Sequence, residues 1–195
     1  MKVLVGLCVL AGAAWADESI SALGRRFSVP LAADWKASAE TLELVVKRPQ
    51  EKPRRPKQFA LLEEGPFTAL TLEVEVKRNQ TSLILVYAFQ DDAHFNYVHL
   101  SVDDPAKVPA HNGVFHVFGG DRVRISSTAG GAGALPSTEW TKVKLVWDGK
   151  QVVCHANGKT AEALRGVDLS LQKGRVGLGS FFESASFRNL RITAR

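Results

Sequence analysis

Hydrophobic and polar residues alternate along most of this chain, with the period of two that is typical of half-buried β-strands. The clearest case is the segment 67–77, where Leu70, Leu72, Val74 and Val76 are separated by polar or small residues. No segment carries a helical period of 3.6 over more than about two turns. The pattern therefore predicts a chain built of strands.

Turn-forming residues divide the alternating segments into short strands. Asp148-Gly149 and Asn157-Gly158 are two-residue hairpin signals on either side of a strand. Residues 17–26 show no clear period and are predicted to form an N-terminal tail, and 164–171 is predicted to be a connection. The predicted strands lie at 41–46, 59–62, 67–77, 82–90, 94–103, 113–118, 122–127, 140–147, 151–156, 174–181 and 185–193. About ten short strands separated by turns indicate an all-β fold, an antiparallel two-sheet sandwich or a barrel.

Four of these strands follow one another between residues 82 and 127, and they carry polar side chains at selected positions. Tyr97 and His99 lie on one face of the second strand. Arg122 and Arg124 lie on one face of the fourth strand, and His116 lies inside the third. A sheet with one solvated face tolerates such residues at little cost. A wet, aromatic and cationic face suits a polar ligand.

The candidate ligand-binding residues are therefore Tyr97, His99, His116, Arg122 and Arg124. If the four strands pair as successive neighbours, these side chains can converge on one face. Tyrosine can stack on a sugar, arginine can grip a carboxylate or sulfate, and His99 or His116 could act as a catalytic base near neutral pH. Each residue also has a structural role open to it: a core tyrosine, hydrogen-bonding histidines and solvent-facing arginines.

The N-terminus has the features of an export signal. Lys2 supplies a positive charge, residues 3–14 form an apolar run, and Ala14-Trp15-Ala16 matches a cleavage site. The run is shorter than the ~20 residues of a membrane-spanning helix, so no membrane span is predicted. We expect cleavage of residues 1–16 and a periplasmic or extracellular protein with a single domain over 27–195.

The formal net charge is +5 at pH 7, and much of it lies in the proline-rich basic segment 47–57, KRPQEKPRRPK. Such a segment is typical of a solvated loop, and contact with an acidic polymer or an envelope surface is the alternative. It has no stacking motif, so no nucleic-acid partner is predicted. Because Cys8 lies in the export signal, Cys154 is left alone, which predicts no internal disulfide and a buried thiol.

Three segments near the C-terminus carry a family resemblance: WTKVKLVWDGKQVVCHANGK, DLSLQKGRVGLGSF and ASFRNLRI. Together they resemble the closing half of concanavalin A-like lectin/glucanase domains, the laminin-G-like jelly rolls. The middle segments YAFQDDAHFNYVHLS, HNGVFHV and DRVRI are similar to bacterial secreted 3-keto-disaccharide hydrolase and family-16-hydrolase-like domains. The resemblance covers about residues 27–193 and implies a jelly-roll β-sandwich. It implies no particular activity, because the superfamily contains lectins, binding modules, lyases and hydrolases.

The catalytic signatures of these relatives are incomplete here. Family-16 glucanases place three acids on one strand face, whereas this chain has Glu73, Glu75 and then Lys77, which indicates an exposed strand face. Alginate-lyase jelly rolls use Gln-x-His with a tyrosine, and Tyr97-Val98-His99 lacks the glutamine.

Laminin-G-like domains often hold one Ca²⁺ with loop carboxylates, which leaves a calcium site open at Asp103, Asp104 and Asp168. No contiguous calcium-binding or zinc-binding pattern is present, so no metal or other cofactor is predicted.

The sequence thus favours an exported carbohydrate-binding module of the lectin type. A glycoside-active enzyme resembling the 3-keto-disaccharide hydrolases, with His99 or His116 as base and Arg122 positioning the substrate, is the alternative. A non-catalytic envelope module that contacts other proteins is the third reading. The sequence does not predict the glycan or the oligomeric state.

Overall fold

A computed structural model describes residues 17–101, 111–129, 135 and 138–195. Two antiparallel sheets pack face to face as a β-sandwich, which confirms the predicted fold class. The strands in the described residues are β1 (Glu18–Ala22), β2 (Arg25–Val29), β3 (Trp35–Ala37), β4 (Thr41–Leu44), β5 (Gln58–Leu62), β6 (Leu70–Arg78), β7 (Ser82–Asp91), β8 (His94–Ser101), β9 (Gly113–Phe118), β10 (Val123–Arg124), β11 (Thr141–Trp147), β12 (Gln151–Ala156), β13 (Lys159–Val167), β14 (Arg175–Ser180) and β15 (Ala185–Ala194), with a 3-10 helix at Ala32–Asp34.

The order of strands interleaves the two ends of the chain. The eight-stranded sheet runs β1-β2-β5-β14-β7-β8-β9-β10, and the seven-stranded sheet runs β13-β12-β11-β6-β15-β4-β3. β7, β8, β9 and β10 pair as successive antiparallel neighbours. The four strands that carry the candidate ligand-binding residues therefore pair in the order that the sequence analysis assumed.

The core between the sheets is built from the inward side of each strand. In β6, every second residue from Leu70 to Val76 is buried, while Glu73 and Glu75 between them are partly exposed, as the alternation predicts. Across the gap, the rings of Trp147 in β11 and Tyr87 in β7 lie 5.6 Å apart. Burying one such apolar side chain contributes about 1.5–3 kcal/mol, which is what holds the sheets together.

The predicted tail at 17–26 is wrong. β1 and β2 form a hairpin at the edge of the eight-stranded sheet, turning at Leu23-Gly24, where both residues have positive φ angles of 55° and 69°. Two positive φ angles suit the twist of a hairpin, but such turns usually carry Asn or Asp in the first position. Leucine at that position is why the sequence did not predict the turn. Phe27 and Val29 are buried and fix the hairpin to the core.

Other boundaries also differ from the predictions. The predicted connection at 164–171 begins inside β13, whose pairing with β12 shifts between Val153 and His155 and so breaks the alternation. The predicted strand 122–127 is reduced to the two residues of β10. β8 ends at Ser101, and the end of the predicted strand at Asp103 lies outside the described residues.

Candidate functional site on the outer face of the eight-stranded sheet

The face of the eight-stranded sheet that points away from the other sheet carries a second apolar cluster. Leu83 and Leu85 of β7 belong to the inter-sheet core, whereas Ile84 and Val86 between them belong to this outer cluster. The cluster consists of Phe59, Leu61, Ile84, Val86, Phe89, Phe95, Tyr97, Phe115, Val117 and Phe181. The expectation of a solvated face is therefore wrong. The sequence of β7, SLILVYAFQD, is apolar at both parities, as in strands covered on both sides.

Arg122 is the polar centre of this apolar cluster. Its guanidinium carbon lies 4.6 Å from the ring centre of Phe115 and 4.6 Å from that of Phe181. From Nη1 it donates a hydrogen bond of 3.1 Å to the hydroxyl oxygen of Tyr97, and the same atom lies 3.5 Å from Nδ1 of His99. Two aromatic rings and a hydroxyl thus hold the guanidinium in a defined position.

Tyr97 is fully buried and serves as the hydrogen-bond partner of this arginine. Burial raises the pKa of the Tyr97 hydroxyl, and the nearby charges of Arg122, Arg54 and Arg124 oppose that rise only in part. The hydroxyl therefore stays protonated at neutral pH. Its ring stacks on Phe115 with centroids 5.3 Å apart, which makes Tyr97 part of the apolar cluster as well as of the site.

His99 lies next to Tyr97 on the same side of β8. Only 2% of its surface is exposed, and its ring stacks on Phe181 with centroids 6.0 Å apart. The ring of His111 lies 5.0 Å away on another side. The structure thus brings Tyr97, His99 and Arg122 together on one face, where the rings of Phe181 and His111 shield His99 from solvent.

Arg124 belongs to the same face but serves the backbone. Its guanidinium lies 5.0 Å from the ring centre of Phe115 and donates to the carbonyl oxygens of His111, Asn112 and Ser127. Burial, and then the charge of Arg122, lowers the pKa of Arg124. These hydrogen bonds fix the backbone on both sides of β10, so Arg124 helps to position the neighbouring Arg122.

His116 lies on the opposite face of the sheet. It pairs with Asn96 across the β8–β9 ladder, and Nδ1 of His116 lies 2.7 Å from Oδ1 of Asn96. Asn96 donates from Nδ2 to Asp168 at 2.7 Å, and Asp168 lies just beyond β13 in the other sheet. His116 therefore links the two sheets at their edge, and it is separated from the other four candidate residues.

The basic loop, residues 47–57, runs beside Arg122 and is fixed at both ends. Asp34, which is buried, accepts two hydrogen bonds of 2.6 Å from the fork of Arg48 and one of 3.1 Å from Gln58. In the second half of the loop, the carbonyl oxygen of Arg54 accepts from the backbone N–H of Arg122 at 3.0 Å. Asp121 in turn accepts from the backbone N–H of Arg54.

Glu73 and Glu75, the two acids of the incomplete family-16 signature, lie on the outer face of the seven-stranded sheet. Glu73 lies 3.5 Å from Nζ of Lys144, and Glu75 accepts a 2.8 Å hydrogen bond from Nε of Arg188. That hydrogen bond is the largest influence on the carboxyl and lowers the pKa of Glu75. The general acid of a glycosidase needs a raised pKa, so this environment opposes that role. An open groove of about 610 Å³ crosses the same face, lined by Glu73, Glu75, Lys142, Lys144, His155 and Arg191.

Two other inferences from the sequence, the lone thiol and the calcium site left open, concern chemistry away from Arg122. Cys154 is free and buried, and burial raises its pKa to about 12, which agrees with an unreactive thiol. Of the three aspartates where a calcium site was left open, Asp103 and Asp104 lie outside the described residues, and Asp168 accepts hydrogen bonds from Asn96 and Ser170. Within the described residues, no group of three or more His, Cys, Asp or Glu side chains is arranged to hold a metal ion.

The predicted export signal at 1–16 lies outside the described residues. In the described ranges, no helix has the length and the apolar character needed to cross a membrane.

Phe115, Phe181 and Arg54 contribute to the site but were missed by the sequence reasoning. Phe115 shares its strand face with Val117, and this alternation was a usable signal. Phe181 follows β14, which is far from Arg122 in sequence, and Arg54 lies in a loop. No local pattern indicates that either would meet β10.

Comparisons with known proteins identify the fold. No family model matches the chain, and no curated protein matches it. Among solved structures, it is similar to the carbohydrate-binding module CBM66 from Bacillus subtilis, with a TM-score of 0.62 at 14% identity over 82% of this chain and 91% of that one. It is also similar to the GH43 protein BlXynB from Bacillus licheniformis, in a mutant form, with a TM-score of 0.57 at 14% identity over 93% of this chain and 39% of that one.

A third similar structure is a Bacillus subtilis protein of unknown function with a galectin-like fold, with a TM-score of 0.51 at 17% identity over 79% of this chain and 82% of that one. At these identities the likeness shows the fold alone. That fold is a β-sandwich of the kind found in lectin-like and jelly-roll domains.

Proposed function

We propose that this protein is an exported β-sandwich module that binds carbohydrate through Arg122, without catalysing a reaction. The observation that carries the proposal is the state of the Arg122 guanidinium. It is held between Phe115 and Phe181, yet among the described residues no carboxylate pairs with it and only Nη1 has a hydrogen-bond partner. Nε and Nη2 are left for a ligand, in the planar geometry that suits oxygen acceptors.

Two further findings support the proposal. The fold is the one found in the carbohydrate-binding module CBM66. The buried rings of Phe115 and Phe181 hold the Arg122 guanidinium in one orientation, and sugars are recognised by hydrogen-bond donors fixed in this way. The predicted export signal at 1–16 would place such a module where polysaccharides are found.

A glycoside-active enzyme is the second candidate, and one contact favours it. Nδ1 of His99 lies 3.5 Å from Nη1 of Arg122, so a basic imidazole stands beside the proposed ligand position. His99 is nearly fully buried, which separates it from a substrate on the surface. Binding without turnover is therefore the proposal, and turnover of a bound glycan would replace it with the enzyme.

The experiment is a glycan-array screen of the purified protein, with product detection on each ligand that binds. Arg122→Gln removes the charge and the fork, and we expect a loss of affinity on the order of tenfold or more, because hydrogen bonds to charged groups are among the stronger ones. Arg122→Lys retains the charge but loses the fork, and we expect an intermediate loss.

Arg188→Gln is the matched control. Arg188 also lies over an aromatic ring, 4.2 Å from that of Trp140, but it is paired with Glu75 and lies on the other sheet. The affinity of the Arg188→Gln variant for the glycan should equal that of the unaltered protein. The proposal fails if no glycan binds, or if Arg122→Gln binds as the unaltered protein does while thermal melting shows it to be folded.

A further inference from the structure

We infer that the ligand of the Arg122 site is an acidic polysaccharide, and that the basic loop 47–57 binds the same chain through its carboxylate or sulfate groups. This inference rests on the proposed function, because it extends the Arg122 site rather than defining a second one. It adds the chemical class of the ligand and a role for the loop.

The first observation is the distribution of charge. The basic loop contains six of the 25 Lys and Arg residues of the chain and one of its 20 Asp and Glu residues. Its formal charge is therefore +5, which equals the net charge of the whole chain, and the remaining residues sum to zero. A charge excess confined to eleven residues is a local feature of one surface, and it attracts anions to that surface.

The second observation is that most of the loop's cations are not neutralised. Within the loop, Arg48 pairs with Asp34 and Lys57 pairs with Glu51, both at 2.6 Å. The other four cations have no carboxylate partner among the described residues: Lys47, Lys52, Arg54 and Arg55. An external anion can pair with these four side chains without displacing an internal partner.

The third observation is that the loop is fixed next to Arg122. The 3.0 Å backbone hydrogen bond from Arg122 to Arg54 joins the two segments directly. Burial raises the pKa of the Tyr97 hydroxyl, and Arg54 is close enough to oppose that rise together with Arg122 and Arg124. Pro56 is buried, and Asp34 holds Arg48 at the other end of the loop. Arg54 and Arg122 therefore lie on one surface, and the loop that carries the other cations is anchored there.

These observations select the ligand class. A neutral glycan would gain hydrogen bonds at Arg122 but no charge pairing with Lys47, Lys52, Arg54 and Arg55. A chain with regularly spaced carboxylate or sulfate groups can occupy Arg122 with one group and the loop with its neighbours. Several weak, exposed contacts then add along one polymer. Such binding weakens as salt screens the exposed charges.

The test measures the affinity of the full protein for polygalacturonate, dextran sulfate and neutral dextran, at low salt and at physiological salt. The loop variant replaces Lys47, Lys52, Arg54 and Arg55 with glutamine. The control variant makes the same replacement at Lys36, Lys142, Lys144 and Arg191, on the outer face of the seven-stranded sheet. Both variants lower the net charge equally, so the control also examines the groove on that face.

We expect at least one acidic polysaccharide to bind more tightly than dextran, with the loop variant losing affinity for it on the order of tenfold. The control variant should retain its affinity. Preference for polygalacturonate identifies carboxylate groups, and preference for dextran sulfate identifies sulfate groups. Tighter binding at low salt is expected for either polymer.

The outcomes separate the inference from the proposed function. If glycans bind through Arg122 but neutral and acidic chains bind equally, or the loop variant is unchanged, the inference is overturned and the proposed function stands. If the control variant loses as much as the loop variant, binding follows overall charge and the inference also fails. If no glycan binds to the unaltered protein, the proposed function fails as well.

Discussion

The outer faces of the two sheets have opposite character. On the seven-stranded sheet, polar side chains alternate with buried ones, and carboxylates pair with cations, as Glu75 does with Arg188. On the eight-stranded sheet, the corresponding positions are apolar and buried, and the arginine at their centre, Arg122, has no carboxylate partner among the described residues. On one face the carboxylates of Glu73 and Glu75 are paired with cations, while the other face keeps a positioned cation, Arg122, available.

This difference indicates which face has a role beyond solubility. A solvated face with paired charges is the expected outer surface of an antiparallel sheet and needs no further explanation. Partial burial of the Arg122 guanidinium within this apolar cluster is costly unless a function or a charge partner compensates. The groove on the seven-stranded sheet contains two carboxylates, Glu73 and Glu75, which are already paired with Lys144 and Arg188. We therefore place the ligand on the other sheet.

The largest effect that tests this comparison is expected for Phe95→Ala. Phe95 is fully buried in the outer cluster, and the centre of its ring lies 5.5 Å from that of Phe59 and 5.8 Å from that of Phe89. Because the cluster is packed like a core, we expect the free energy of unfolding to fall by about 3–5 kcal/mol in urea denaturation.

The matched substitution on the other outer face is Val146→Ala, at a half-buried position of β11. A loss of about 1 kcal/mol or less is expected there. If Phe95→Ala costs no more than this, the outer cluster is not a second core and the contrast between the faces disappears.

A middle-sized effect is expected for Gly113→Ala. A Cβ atom added at Gly113 would lie 2.1 Å from Nη1 of Arg124, so the guanidinium must leave its backbone carbonyl partners. The loss of these hydrogen bonds should lower the free energy of unfolding by about 1–3 kcal/mol.

The double variant Gly113→Ala/Arg124→Ala makes this prediction specific. Because both changes remove the same hydrogen bonds, their effects should be strongly non-additive in a double-mutant cycle. Simple additivity would show that Arg124 does not hold the His111–Ser127 segment, and it would return Arg124 to the list of residues available to a ligand.

The smallest effect is a difference in acid sensitivity. The hydrogen bond from Arg188 lowers the pKa of Glu75 below its ordinary value of 4.5, so the stabilisation it provides is complete above that value and is lost as the pH falls through the lowered pKa. Relative to Glu75→Gln, the unaltered protein should lose up to about 1 kcal/mol of stability between neutral pH and pH values well below 4.5.

Below about pH 4.5, the same pH series on Arg122→Gln should run parallel to that of the unaltered protein, because no carboxylate among the described residues pairs with Arg122. Chemical denaturation at each pH measures both curves. A difference between the curves in this carboxylate range would reveal a carboxylate partner and would weaken the contrast between the two faces.

Alternation and turn residues are local signals, so they predicted an all-β fold and placed Tyr97 and His99 on one face. The family resemblance then favoured a sandwich over a barrel. The position of His116 depends on the pairing register between β8 and β9, in which His116 opposes Asn96 and Phe115 opposes Tyr97. A shift of one residue in that register would have reversed the faces, and no local pattern specifies it. The outer apolar cluster was missed because burial of both sides of β7 depends on distant segments around Phe59 and Phe181.

The interleaved strand order also determines when this domain can fold. β14 separates β5 from β7, and β15 separates β4 from β6, so the last two strands complete both sheets. Pairs such as Gly177 with Leu61 join distant parts of the chain, and folds dominated by such pairs form slowly. During synthesis, the eight-stranded sheet is not continuous until β14 has emerged from the ribosome, and the seven-stranded sheet is not continuous until β15 has emerged. We expect folding to be a late, all-or-none event, and a chain truncated before β14 to remain unfolded instead of forming a smaller domain.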